Sequence, residues 1–243
     1  MEEIPLPPGF RSAVPFDRHK HKRRGIPPGA AQFARHLNVI YITAAEFARA
    51  SHDFPLAFAR EHSGKLVPIA LTGLNEGENL FIDANGVWAP DVYCPAFIRR
   101  YPFFTATVAD GTEQRALICV DERALTTDAP ALINAAGEPT DRWREIELLI
   151  MEMDNEQRAT AALCDRLVEL DLLEPFEADF HPRGKPEVRV AGLLRVNEQR
   201  LHRLDETDIV ALMRAGHLAR IYAHLLSFEN FNRLLNRHIS ATG

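Results

Sequence analysis

The sequence predicts an α+β fold in which a mostly antiparallel β-sheet is followed by a helical region. Between residues 37 and 120, short apolar runs are separated by turn-forming residues at intervals too short for the crossover helices of a parallel sheet. From residue 143 onwards, apolar residues recur at steps of three and four, which is the period of an amphipathic helix. The stretch 188–196 alternates again, so we expect one late strand to return to the sheet.

Changes in composition divide the chain into three regions. A proline-rich basic arm is predicted for residues 1–36, the sheet region for 37–140, and a helical region packed on the sheet for 141–243. The prolines of residues 175–186 predict a loop there. A chain of 243 residues can bury one substantial core, so we expect the regions to form a single compact unit.

The net charge and the cysteine content limit which partners and which cellular compartment we expect. The formal net charge of −6 argues against non-specific nucleic-acid binding by the whole molecule. The three cysteines are odd in number and widely spaced in apolar contexts, which indicates reduced thiols and a reducing compartment. No apolar run reaches the roughly 18–20 residues that span a bilayer, and the N-terminus lacks the pattern of a signal peptide. We therefore predict a cytoplasmic protein that does not insert into membranes.

Two charged stretches of opposite sign are possible docking surfaces. Residues 18–24 of the arm form a basic run, and residues 145–179 contain eleven acidic residues against two basic ones. Each stretch is either a solvated face or a contact for a partner of opposite charge. The acidic stretch also offers a docking surface for the chain's own basic arm.

The stretch 79–104 is the densest mixture of aromatic, turn-forming and charged residues in the chain. Two short strands, 79–83 and 86–88, are predicted to pair across the Asn85-Gly86 turn, because Asn-Gly supplies the positive φ angles of a tight hairpin. An arginine among aromatic residues can stack on a ring and bind a carboxylate or a phosphate with two hydrogen bonds. The residues predicted to form a ligand- or partner-binding surface are Asp83, Trp88, Tyr93, Arg99, Arg100 and Tyr101.

The same surface has a purely structural interpretation, in which one arginine pairs with Asp83 or Asp91 and only fixes the loop. In the binding interpretation, it recognises a protein partner or a small anionic ligand. A second alternative is an enzyme acting on a small metabolite or glycan, with Asp83, Asp121 and His217 in a pocket between the sheet and the helices. A third is an adaptor that pairs its acidic helices or its basic arm with another protein.

No metal and no cofactor are predicted. The sequence contains none of the spacings of a phosphate loop, a metalloprotease helix, a nucleophile elbow or a CxxC pair. His217 and His224 lie seven residues apart and so on one helix face, but catalytic zinc needs a third ligand and a tighter arrangement. We therefore interpret both as polar residues at the boundary of the core.

Several motifs together resemble those of the bacterial SapC family. The run N-L-F-I-D-x-x-G-x-W occupies residues 79–88, and Tyr93-x-Pro95 and the run R-R-Y-P-F at 99–103 follow it. The resemblance covers about residues 35–236. The segments that agree elsewhere are Glu46-Phe47, Asp53-Phe54-Pro55, Leu71-x-Gly73-Leu74, Gly192, Leu201–Leu204, Gly216-His217-Leu218 and Ser227.

The resemblance implies an accessory role in nutrient uptake or modification. Members of the family are associated by name with bacterial surface layers, and their genes often lie beside those of TonB-dependent receptors, halogenase-like flavoproteins and cupin-like hydroxylases. Some members carry a peptide-permease label, which the lack of a membrane-spanning run argues against here. The family provides no catalytic residues to carry over. We therefore expect a SapC-like binding or accessory protein.

Overall fold

The α+β class predicted from the sequence is confirmed by a computed structural model, which describes residues 5–61, 63–110, 113–181 and 187–241. In these residues the strands are β1 (Val14–Pro15), β2 (Val39–Tyr41), β3 (Leu56–Arg60), β4 (Leu66–Leu71), β5 (Phe103–Asp110), β6 (Glu113–Val120), β7 (Leu173–Phe180) and β8 (Val188–Val196). The α-helices are α1 (Phe47–Ala50), α2 (Ala96–Arg99), α3 (Asp141–Glu169), α4 (Glu198–Leu201), α5 (Glu206–Arg214), α6 (His217–Ser227) and α7 (Asn230–Ala241).

The chain forms two compact units, each built from several segments. The first unit contains residues 1–36, 82–90 and 96–154, and the second contains 37–81, 91–95 and 155–243. Helix α3 contributes its N-terminal half to the first unit and its C-terminal half to the second. The three regions predicted from composition do not follow these boundaries, and that division stays a prediction.

The first unit is organised on the antiparallel sheet β1-β6-β5. Its apolar core contains Phe103, Val120, Ile133 and Trp143, of which none exposes more than 1% of its surface. Phe16 of the N-terminal segment stacks on Trp143 with ring centroids 4.1 Å apart. The long helix is amphipathic because its apolar residues recur every three or four positions, and this stripe covers the sheet.

The N-terminal segment packs into this unit. Phe10 is 7% exposed, His21 is fully buried, and β1 pairs with β6. Arg18 of the basic run lies 3.4 Å from Glu147 of α3, so one residue of the run pairs with the acidic helix. Both side chains are partly exposed, and this pair therefore contributes little to stability.

The second unit contains the antiparallel sheet β2-β4-β3-β8-β7. The prediction that a late strand returns to the sheet is confirmed, because β8 pairs with β3 through Phe58 and Leu194. The loop predicted for 175–186 is wrong for residues 175–180, which form most of β7, and residues 182–186 lie outside the described residues. Pro175 is tolerated because β7 is the outermost strand, and prolines within sheets are found mainly on edge strands.

Buried polar side chains attach helices α6 and α7 to this sheet. The Val196 N–H donates to His224 Nε2 at 3.0 Å, and the Leu56 N–H donates to the Ser227 hydroxyl at 2.9 Å. The Asn230 side-chain amide donates to the carbonyls of Ser51 and Phe54. Because a buried backbone group without a partner is costly, these side chains fix the position of the helices on the strands.

Candidate functional site

The motif of paired arginines lies on the short helix α2 and at its C-terminal end. Residues 95–98 and Arg100 are buried, whereas the Arg99 side chain is exposed to solvent. The Arg100 guanidinium lies over the ring of Phe97, with 5.3 Å between Cζ and the ring centroid. The two arginines that follow each other in sequence therefore have different environments, because successive helical positions point about 100° apart.

Tyr101 is held between the N-terminal segment and the end of β6. Its ring stacks on Phe33 with centroids 3.8 Å apart and an interplanar angle of 3°. Its hydroxyl lies 3.5 Å from the Asp121 carboxylate, and the Tyr101-Pro102 peptide bond is cis. Burial, followed by the nearby charge of Asp121, raises the pKa of Tyr101 to about 12. The phenol therefore stays protonated and serves as a packed hydrogen-bond donor.

Asp121 connects the N-terminal segment to the rest of the first unit. Its carboxylate accepts hydrogen bonds from the Arg11 N–H at 2.9 Å and from the Ser12 hydroxyl at 2.7 Å. The residue is 1% exposed. A carboxylate can be buried when hydrogen-bond donors surround it, and these donors come from residues more than 100 positions away. Asp121 therefore has a structural role that its sequence context does not show.

Asp83 and Trp88 belong to a tight turn and not to the two predicted strands. The Asp83 carboxylate accepts from the N–H groups of Asn85 at 2.9 Å and Val87 at 2.8 Å, and one bridge joins Ile82 to Trp88. The hairpin predicted at Asn85-Gly86 is thus correct in its turn and wrong in its strands. An Asx side chain that binds backbone two residues on stabilises such a turn without any strand.

The tip of this turn packs on the N-terminal segment. A Cβ placed on Gly86, where φ is +75°, would lie 2.5 Å from the carbonyl oxygen of Gly29. A Cβ on Gly29 would in turn lie 2.4 Å from the carbonyl oxygen of Asn85. Only glycine combines this backbone conformation with such a close approach, so both positions require glycine.

Tyr93 is the one predicted site residue that belongs to the second unit. Its N–H donates to the Asp53 carboxylate at 2.8 Å, and its hydroxyl donates to the Glu46 carboxylate at 3.0 Å. The other oxygen of Glu46 accepts from the Thr43 N–H at 2.8 Å in a capping box. Within the second unit, Tyr93 therefore fixes the loop before α1.

The alternative catalytic group of Asp83, Asp121 and His217 is not assembled within either unit. Asp83 accepts hydrogen bonds from the backbone of its own turn, and Asp121 accepts them from Arg11 and Ser12, all in the first unit, whereas His217 is in the second. His217 lines a groove between α3, α5 and the start of α6. Burial, followed by the charges of Arg220 and Arg166, lowers the pKa of His217.

His224, the predicted partner of His217, is not a boundary residue. It is fully buried, and its Nε2 already accepts the Val196 N–H. Among the residues that the structure describes, no group of three or more His, Cys, Asp or Glu side chains is placed to hold a metal ion.

Sequence reasoning missed two groups of charged residues. Glu122 forms ion pairs with the basic segment, with Lys20 Nζ at 3.1 Å and Arg24 Nη1 at 3.6 Å. Arg166 of α3 pairs with Glu169 at 3.0 Å and with Asp208 of α5, and so joins two helices. The three-residue spacing of Arg166 and Glu169 could have revealed the pair within α3, but no local pattern indicates the pair with Asp208.

Comparisons with known proteins show which family the chain resembles. No described helix is both long and apolar enough to cross a membrane. A search of curated proteins found no match, and neither did a search of solved structures. The model of the SapC family matches residues 16–234, which is nearly the whole chain and includes the Arg99-Arg100-Tyr101 motif. The chain therefore belongs to the SapC family.

Proposed function

We propose that this SapC-family protein is a binding or accessory protein that recognises a carboxylate or phosphate group through Arg99. The observation that carries the proposal is the exposure of Arg99 between buried neighbours. Pro95, Ala96, Phe97, Ile98 and Arg100 are all buried around it. This arrangement holds the backbone of Arg99 in place while the residue itself stays exposed.

A fixed backbone favours binding because less conformational freedom is lost when the ligand is bound. The guanidinium is planar and offers its N–H groups in a geometry that matches a carboxylate or a phosphate. The contact of Arg100 with the Phe97 ring and the stacking of Tyr101 on Phe33 hold the segment that carries Arg99. The aromatic residues of the motif thus keep the segment ordered, and Arg99 binds the ligand.

We place this activity in the cytoplasm, in support of nutrient uptake or modification. The cellular link follows from the genes that accompany the family, and the compartment from the cysteines. Cys94, Cys119 and Cys164 are in no disulfide bond. Burial raises the pKa of Cys119 and raises that of Cys164 to about 12, so both are unreactive thiols that suit a reducing compartment.

Calorimetric titration with three anionic probes tests the proposal. Inorganic phosphate and citrate represent a free ligand, and a hexaglutamate peptide represents an acidic segment of a protein partner. We expect one of the probes to bind wild type, and Arg99→Ala to bind it at least about tenfold more weakly, because charge-assisted hydrogen bonds contribute roughly 1.5–3 kcal/mol. Arg99→Lys should recover only part of the affinity, since lysine cannot bind bidentately.

Arg144→Ala is the matched control, because Arg144 is an arginine of the same unit with a side chain that is 62% exposed. It should bind like wild type. The proposal is wrong if Arg99→Ala binds every probe as wild type does, or if Arg144→Ala loses as much affinity as Arg99→Ala.

A further inference from the structure

Helix α6 of the second unit has an apolar stripe on the side that faces solvent. The stripe consists of Ala219, Tyr222 and Leu226, which follow each other at steps of three and four and so lie on one side of the helix. Leu226 is 71% exposed, Tyr222 is 38% exposed, and Ala219 is exposed as well. Arg220, the charged residue of this helix, is half-buried and lies off the stripe. Large apolar side chains are thus presented to water without a charge among them.

The opposite side of α6 packs on the sheet and uses polar side chains to do so. His224 and Ser227 are buried there, and they accept the backbone N–H groups of Val196 and Leu56. A surface helix ordinarily turns its apolar side to the core and its polar side to solvent. A helix that binds its own sheet through polar groups and exposes apolar ones has the pattern of a helix with a second partner.

The two ends of the stripe carry opposite charges. Arg214 lies three residues before α6 begins, and Glu229 lies two residues after it ends. Both residues are exposed, and neither side chain forms an ion pair within the part of the chain that the structure describes. A copy of the same surface in the antiparallel direction brings Glu229 of each copy to Arg214 of the other. The surface is therefore complementary to itself.

We propose that this stripe is the contact surface for a second copy of the chain, in which two α6 helices pack antiparallel about a two-fold axis. Ala219 of each copy then lies opposite Leu226 of the other, a small residue against a large one, and the two Tyr222 rings meet near the axis. The eleven residues of α6 span only about 16 Å, so the interface is small and the dimer dissociates on dilution. This surface is independent of recognition by Arg99.

Sedimentation equilibrium of the full chain over a range of concentrations measures the dimer. We expect a monomer–dimer equilibrium in wild type. Leu226→Ser should raise the dissociation constant at least about tenfold, because each dimer loses two leucines from its interface. Leu148→Ser is the matched control, because Leu148 of α3 is 57% exposed but lies outside the stripe, and this variant should dimerise like wild type.

Charge reversal tests the antiparallel arrangement. Glu229→Arg places two arginines together at each end of the helix pair and should weaken the dimer about fivefold. The double variant Glu229→Arg/Arg214→Glu restores opposite charges between the copies and should dimerise like wild type.

A chain that stays monomeric at every concentration overturns the proposal. So does a dimer that Leu226→Ser leaves unchanged, a dimer that Leu148→Ser weakens equally, or a charge reversal that the double variant fails to rescue. A monomer that binds phosphatidylcholine vesicles, and loses this binding in Leu226→Ser, has a membrane surface as its partner, which also overturns the proposal.

Discussion

Because His224 of α6 is buried, we expect the second unit to lose stability in mild acid. Burial lowers the pKa of His224 to about 3, against an ordinary value of 6.5. The unfolded chain therefore binds a proton that the folded chain does not, and stability falls as the pH falls from about 6.5 towards 3. From these two pKa values, His224 alone removes about 2 kcal/mol between pH 7 and pH 5.

The variant His224→Gln isolates this contribution. Glutamine does not titrate, and its side-chain oxygen can still accept the Val196 N–H that now binds His224 Nε2. At pH 7 the variant should be about 1–2 kcal/mol less stable than wild type, because it loses the ring contacts with Phe58 and Phe228. Between pH 7 and pH 5, however, it should lose about 2 kcal/mol less than wild type does.

Urea denaturation at pH 7, 6 and 5 measures both effects, provided that the denaturant slope stays constant. His202→Gln is the control, because the His202 side chain is 62% exposed and should leave the acid dependence unchanged. An equal loss of stability between pH 7 and pH 5 in wild type and His224→Gln would refute the reasoning.

Further substitutions test the contacts of the first unit. Gly86→Ala should cost about 1–3 kcal/mol more in urea denaturation than Gly77→Ala, because both positions have positive φ but only the Gly86 Cβ meets a backbone oxygen, that of Gly29. Equal costs would show that the turn does not pack on the N-terminal segment. Asp121→Ala should cost about 2–4 kcal/mol by leaving the Arg11 N–H and the Ser12 hydroxyl without their acceptor. It should also lower the pKa of Tyr101 in a spectrophotometric titration, and an unchanged phenol titration would contradict the contact.

Local patterns predicted much of the fold, because most of its elements are specified by nearby residues. The Asn85-Gly86 turn and the alternating strand at 188–196 both follow from short-range chemistry, and both are present. β7 was missed because prolines and acidic residues also mark loops. What distinguishes an edge strand from a loop is the strand beside it, here β8, and the sequence does not state that pairing.

The candidate site shows the same limit. The motif marks one segment, but adjacent arginines look alike in a sequence, and packing against Phe97 separates Arg100 from Arg99. The role of Asp121 depends on Arg11 and Ser12, which are more than 100 residues away. Contacts of this separation depend on the assembled fold, so no local pattern reveals them.

The most direct test of the account compares the thermal unfolding of Arg99→Ala with that of Arg100→Ala. Arg99 is exposed, so its removal should change the stability by less than about 0.5 kcal/mol and the melting temperature by about 2 °C at most. Arg100 is 8% exposed and packs on Phe97, so its removal should lower the melting temperature by about 5–10 °C. A large fall in Arg99→Ala would contradict the account, because Arg99 would then hold the fold instead of a ligand.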